Sequence, residues 1–184
     1  MKKNLSRFLI FWFFSFLVFN ISGCGYTTRS MISSKYKTIY ITPFVNKIDW
    51  TNESAVANKY KIYRPLLETE ITKSVIDKYI FDGNLKLREI KSADLTLKGE
   101  LVEFRRDPLR YTDTNTVLEY RLNIVVNLEL MDNRENKIVW QEQRFTGDTT
   151  YFTTGLQSIS EDAAVTIGIK DLARRIVART VEQW

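Results

Sequence analysis

The chain of 184 residues contains no histidine and only one cysteine. Without histidine it has no Ser-His-Asp or Cys-His arrangement for nucleophilic catalysis and no His-built zinc site. A single cysteine cannot close a disulfide within the chain. Long apolar runs are missing as well. The longest block, Phe8 to Phe19 with Ser15 inside it, spans 12 residues, short of the ~20 that a membrane-crossing helix needs. Arg7 and Lys3 prevent its extension backward. An excess of one charge is lacking once the first residues are set apart. Residues 1–23 hold three of the 27 basic side chains and none of the 22 acidic ones, so the formal +5 falls to 24 cations against 22 anions, or +2. That balance gives no basis for a nucleic-acid partner. No internal repeat or low-complexity stretch is present.

The start of the chain is where its sequence is most specific. Lys2, Lys3 and Arg7 precede the apolar block, and Ile21-Ser22-Gly23-Cys24-Gly25 follows it. A basic start, an apolar centre and small residues ahead of a cut form a secretory signal. With a cysteine at the cut, the segment resembles the lipobox of bacterial lipoproteins, in which the cysteine sulfur takes a diacylglycerol and the new N-terminus is acylated. Ile21 stands where the lipobox prefers Leu. The expectation is a removed signal over 1–23, an acylated tether over 24–37 and one domain over 38–184. The covalent lipid on Cys24 would be the only attached group, with no cofactor or metal, and acylation would leave no thiol for catalysis. Several acyl chains at one end make attachment lasting, since each buried methylene contributes ~0.8 kcal/mol. The domain then needs no apolar anchor of its own.

Beyond the tether, Thr38 to Thr42 alternates like a strand and is closed by Pro43, which cannot donate to a ladder. Asn46 to Tyr63 is polar and reads as loop. Leu67, Ile71, Val75 and Tyr79 step by four and predict a helix over Pro65–Tyr79, with Pro65 in its first turn. Leu85 to Glu89 predicts a short strand. In the strand that opens at Leu95, the apolar residues Leu95, Leu97 and Leu101 share one phase while Val102 and Phe104 take the other. A bulge between Gly99 and Val102 reconciles them. From Leu118 to Met131, Tyr120, Leu122, Ile124, Val126, Leu128 and Leu130 alternate with Arg121, Asn123, Asn127 and Glu129. This predicts a long strand with one buried and one wet face. Asp132 to Asn136 is a turn, and the partner strand returns to about Thr146, leaving Gly147 to Gly155 as a loop. Ser158 and Glu161 have capping-box spacing, ahead of a helix whose stripe is Val165, Ile169, Leu172 and Ile176.

These elements predict an α+β fold, a two-layer sandwich with two amphipathic helices packed on one face of a four- to five-stranded mixed, largely antiparallel sheet. The opposite face is left polar.

With the elements placed, the chain resembles the lipopolysaccharide-assembly lipoprotein family LptE. The resemblance rests on Cys24-Gly25-Tyr26, Ile41-Thr42-Pro43-Phe44, Asp82-Gly83, Ala93-Asp94-Leu95, Phe104 to Leu109 (Phe-Arg-Arg-Asp-Pro-Leu), Glu119-Tyr120 and the closing charged helix. It implies a non-enzymatic outer-membrane subunit on the periplasmic side, lipid-anchored, that plugs the β-barrel LptD and contacts lipopolysaccharide. Gly25 is not the aspartate that retains enterobacterial lipoproteins in the inner membrane, which agrees with that address. A polar sheet face suits a polar barrel lumen.

Lipopolysaccharide offers phosphates and carboxylates, for which arginine is the best-suited partner. The densest cations are Arg105, Arg106 and Arg110, expected at a strand end and in the loop before Leu118, with Lys137 beside the following turn. The resemblance singles out Arg110 by position. Two other functions stay open on sequence alone. One is a different periplasmic interaction lipoprotein, such as a regulator of a cell-wall synthase or a secretion-channel subunit. The other is a hydrolase working with two carboxylates, for which Glu100 with Glu103 and Glu161 with Asp162 are the available pairs.

Overall fold

Among the described residues, six strands and two helices follow one another along the chain. They are β1 (Thr38–Ile41), β2 (Val45–Asn46), α1 (Leu67–Asp82), β3 (Lys86–Leu87), β4 (Leu95–Tyr111), β5 (Val117–Asp132), β6 (Lys137–Phe152) and α2 (Glu161–Glu182). The structure, a computed structural model, describes residues 35–50 and 60–182; Cys24 and the segment before it lie outside the described residues. The strands form one open sheet in the order β3-β1-β4-β5-β6, with β2 also paired to β4. β1 and β2 run parallel to β4, whereas β4, β5 and β6 form an antiparallel meander. The expected α+β class holds, with six strands in place of four to five.

The alternation in β5 divides the molecule into a dry and a wet side. Leu122, Ile124, Val126, Leu128 and Leu130 are buried against the helices, while Arg121 is exposed and Asn123, Asn127 and Glu129 are half-buried on the other face. The helices close the dry side through Leu67, Ile71, Val75 and Tyr79 of α1 and through Val165, Ile169, Leu172 and Ile176 of α2, all buried. Where the helices meet, the fully buried Tyr79 hydroxyl donates to Thr180 Oγ1 at 2.8 Å, and Thr180 donates in turn to the Ile176 carbonyl at 2.9 Å.

The bulge in β4 is present. Leu101 pairs with Val126 and Glu103 with Val125, so Val102 is the extra residue. The slip brings both Leu101 and Phe104 to the dry side, where both are buried. Gly99 has a separate purpose, because a Cβ there would stand 2.2 Å from the ring of buried Phe44.

Four boundaries differ from those expected. β4 continues to Tyr111, through Pro108, so Arg105, Arg106 and Arg110 lie within a strand, and the connection to β5 is only residues 112–116. β6 continues through Gly147 to Phe152. Gly147 is no strand end but a point of close approach, since a Cβ there would lie 2.4 Å from Leu172 Cβ and 2.8 Å from Leu172 Cα. Helix α1 starts at Leu67 rather than Pro65, because Leu66 adopts a left-handed conformation (φ 60°) at its N-cap. The cap of α2 is Ser160 rather than Ser158. Its Oγ accepts from the Ala163 N–H at 3.2 Å, while Ser158 Oγ donates to the Gly155 carbonyl.

Candidate functional site

The start of the folded body is held by two carboxylates. Asp132, at the end of β5, is buried and accepts from the Tyr36 hydroxyl (2.8 Å), Lys35 Nζ (3.0 Å) and the backbone N–H groups of Arg134 and Glu135. Burial alone would raise its pKa, but these donors together hold it well below the usual carboxylate range. Asp94, just before β4, accepts from the N–H groups of Lys37 and Thr38 and from Arg134, and is likewise depressed against the pull of burial. Tyr36 is buried in the core. Lys35 and Tyr36, ahead of the first strand, are thus joined to the end of β5.

At the opposite end of the sheet, two consecutive arginines separate. Strand alternation sends Arg105 to the wet face and Arg106 to the dry one, so they cannot converge on one ligand. Arg105 Nε lies 3.3 Å from Glu103 and its Nη2 lies 2.7 Å from Asp107, which also accepts from Asn123. Arg144 of β6 reaches the other oxygen of Glu103 at 2.7 Å. The bulge sets Glu100 and Glu103 on this same face, where Lys98 pairs with Glu129 at 2.9 Å. A polar hollow of about 300 Å³ between them is lined by Lys98, Glu100, Asn127, Glu129, Gln141 and Gln143. Arg110 pairs with Glu119 at 2.9 Å. Lys137, mostly exposed, lies 3.7 Å from Glu135 at the far turn.

On the dry side Arg106 builds a different arrangement. Its guanidinium lies 4.8 Å from the centre of the Tyr120 ring and forms an ion pair with Glu161, the first residue of α2. Burial opposes its charge, yet the Glu161 carboxylate holds it above its ordinary pKa. The Tyr151 hydroxyl donates to the same carboxylate at 3.2 Å, and Tyr151 stacks on Tyr120 with centres 5.7 Å apart. A cavity of about 250 Å³ opens beside Arg106, walled by Tyr60, Ile62, Pro108, Tyr111 and Tyr120.

Three of the four acids considered for hydrolysis are engaged by cations, Glu103 by two arginines, Glu161 by Arg106 and Asp162 by Arg64 at 2.6 Å, while Glu100 lines the polar hollow. Among the described residues no three acidic or cysteine side chains converge as metal ligands, and no helix is long and apolar enough to cross a membrane. Tyr151 and Arg144 were not singled out as site residues from sequence, and Glu161 was considered there only as a capping residue and a hydrolase acid, not as the partner of Arg106. The run Thr149-Thr150-Tyr151-Phe152 is rich in strand formers, a signal that two flanking glycines obscure.

The sequence model of the lipopolysaccharide-assembly family LptE matches residues 36–180. No curated protein matches the chain. Among solved structures, a hypothetical protein from Chlamydia trachomatis superposes with a TM-score of 0.51 at 14% identity, covering 79% of this chain and 95% of that one. A protein from Xanthomonas campestris gives 0.50 at 14% identity, over 84% and 91%. At such identity the likeness is one of fold alone. Rare lipoprotein B from Shewanella oneidensis gives 0.46 at 13% identity, over 77% and 92%.

Proposed function

The chain belongs to the lipopolysaccharide-assembly family LptE, whose sequence model spans nearly all of its folded body, and from that premise we propose that it is the lipid-anchored subunit that plugs the outer-membrane barrel LptD and contacts lipopolysaccharide during insertion into the outer leaflet. The family match is the observation that carries this reading. Attachment would be through acylated Cys24 on the periplasmic side, and the protein would act by binding rather than catalysis. The division of the sheet supports the plug. A side covered by two helices supplies a stable body, and the other side presents Lys98, Glu100, Asp107, Asn127, Gln141 and Arg144 to a polar lumen. Arg105, Arg106, Arg110 and Lys137 are the proposed contacts for lipopolysaccharide anions. They stand on different faces and at both ends of the sheet, so they would meet separate groups of a large ligand and not one phosphate.

Purification of the acylated protein from outer membranes should bring down one large β-barrel in one-to-one proportion. Recovery with a soluble cell-wall synthase, or as a ring of its own copies with no barrel, would overturn the reading.

A further inference from the structure

We propose that the cavity beside Arg106 is a binding site for a single anionic sugar ring, and that Glu161 is the resident anion that such a ligand displaces. Three observations converge there. The cavity, about 250 Å³, is smaller than the ~300 Å³ at which drug-sized sites begin, so it suits one ring. Its walls include Tyr60, Tyr111 and Tyr120, and Tyr111 is half-exposed at the mouth. Aromatic faces carry negative quadrupole density, which favours the C–H-rich face of a sugar. The floor carries Arg106, whose planar fork suits a carboxylate or phosphate.

The partner of Arg106 makes the site exchangeable. Arg106 and Glu161 each keep more than a third of their side-chain surface exposed, so their pair is weak and screened. An incoming anion takes over the guanidinium, and Glu161 turns to water at the N-terminus of α2, where a negative charge remains favourable. This deepens the reading above and rests on it only for the source of the sugar, the phosphorylated and carboxylated rings of lipopolysaccharide as against free sugar phosphates.

Calorimetric titration of the full chain in nonionic detergent tests the site with glucosamine 1-phosphate, glucosamine and inorganic phosphate. Glucosamine 1-phosphate should bind more tightly than either part alone. Arg106→Gln should weaken it about 10- to 100-fold, the range for loss of a charged hydrogen-bond partner. Tyr111→Ala, at a half-exposed position that leaves the fold intact, should weaken it several-fold. Glu161→Gln should tighten it roughly two- to fivefold by removing the competing carboxylate, a gain that a purely structural ion pair would not produce. Equal binding of phosphate and sugar phosphate, or weaker binding by Glu161→Gln, overturns the proposal. Retention of lipopolysaccharide by the same samples separates the two ideas. Retention that survives Arg106→Gln and Tyr111→Ala removes this site and leaves the family function standing. Sugar-phosphate binding without retention of lipopolysaccharide keeps the site and removes that function.

Discussion

The two faces of one sheet hold their residues by different means. On the covered face Phe104, Leu122, Ile124, Val126 and Leu128 are essentially inaccessible, and two glycines let a ring and a helix approach the strands directly. Each such apolar side chain contributes about 1.5–3 kcal/mol by leaving water. On the open face the residues are joined by ion pairs, but Arg144 keeps 64% of its side-chain surface, Lys98 49% and Arg105 40%. Pairs of that kind contribute about 0–1 kcal/mol. The covered face carries the stability, and the charged face carries chemistry that the fold hardly needs. A surface of that sort can be shaped by a partner without endangering the body beneath it.

The comparison breaks most easily at Gly147. Replacing it with alanine places a Cβ against the backbone of Leu172, which no rotamer change relieves, so α2 must lift from β6. A loss of about 3 kcal/mol is expected, near the upper end for overpacking, and denaturant titration measures it. Thr146→Ala, one residue earlier on the open face, removes a hydroxyl that donates to the Arg144 carbonyl at 3.1 Å and serves as the control, with an expected loss of no more than about 1 kcal/mol. Comparable losses at both positions would mean that the faces do not differ in this way.

Tyr79→Phe gives a smaller effect inside the covered layer. The helices lose the Tyr79–Thr180 hydrogen bond, but Thr180 keeps the Ile176 carbonyl as its acceptor, so no buried donor is left unpaired. About 1 kcal/mol should be lost, with an unchanged denaturant slope.

The covered layer was also the more legible in sequence. Strict alternation from Tyr120 to Leu130 and the spacing of the helix residues define which side faces inward, and both patterns arise directly from burial. The change of phase between Leu101 and Phe104 announced the bulge for the same reason. What stayed hidden depends on contacts between distant segments. Gly147 reads as a break along the chain, and only α2 lying against it explains a glycine inside a strand. Arg105 and Arg106 read as one cluster, yet once Pro108 proves to lie within β4 they fall on opposite faces. Glu161 resembled half of a capping box, whereas its partner is Arg106, 55 residues earlier. Charged groups form pairs that period and spacing do not encode, so the candidate site was less visible than the core.

Arg144→Gly brings the comparison to its finest point. Arg144 is the extra residue of an irregularity in β6 and sits at φ 56°, a left-handed conformation that costs a non-glycine residue about 1–2 kcal/mol. Glycine removes that strain but adds about 0.5–1 kcal/mol of backbone entropy and forfeits an exposed ion pair of at most about 1 kcal/mol. Glu103 is not orphaned, since Arg105 remains 3.3 Å away, and the backbone N–H still has Asn127 Oδ1 as acceptor. The changes nearly cancel, so stability should stay within about 1 kcal/mol of the parent. Recovery of the barrel partner should fall all the same, because a cation at the centre of the proposed docking face is gone. Thermal unfolding and quantitative copurification, made on the same variant, read the two effects apart. Full recovery of the barrel at unchanged stability would move the docking surface away from this face, while a large loss of stability would show that the open face supports the fold after all.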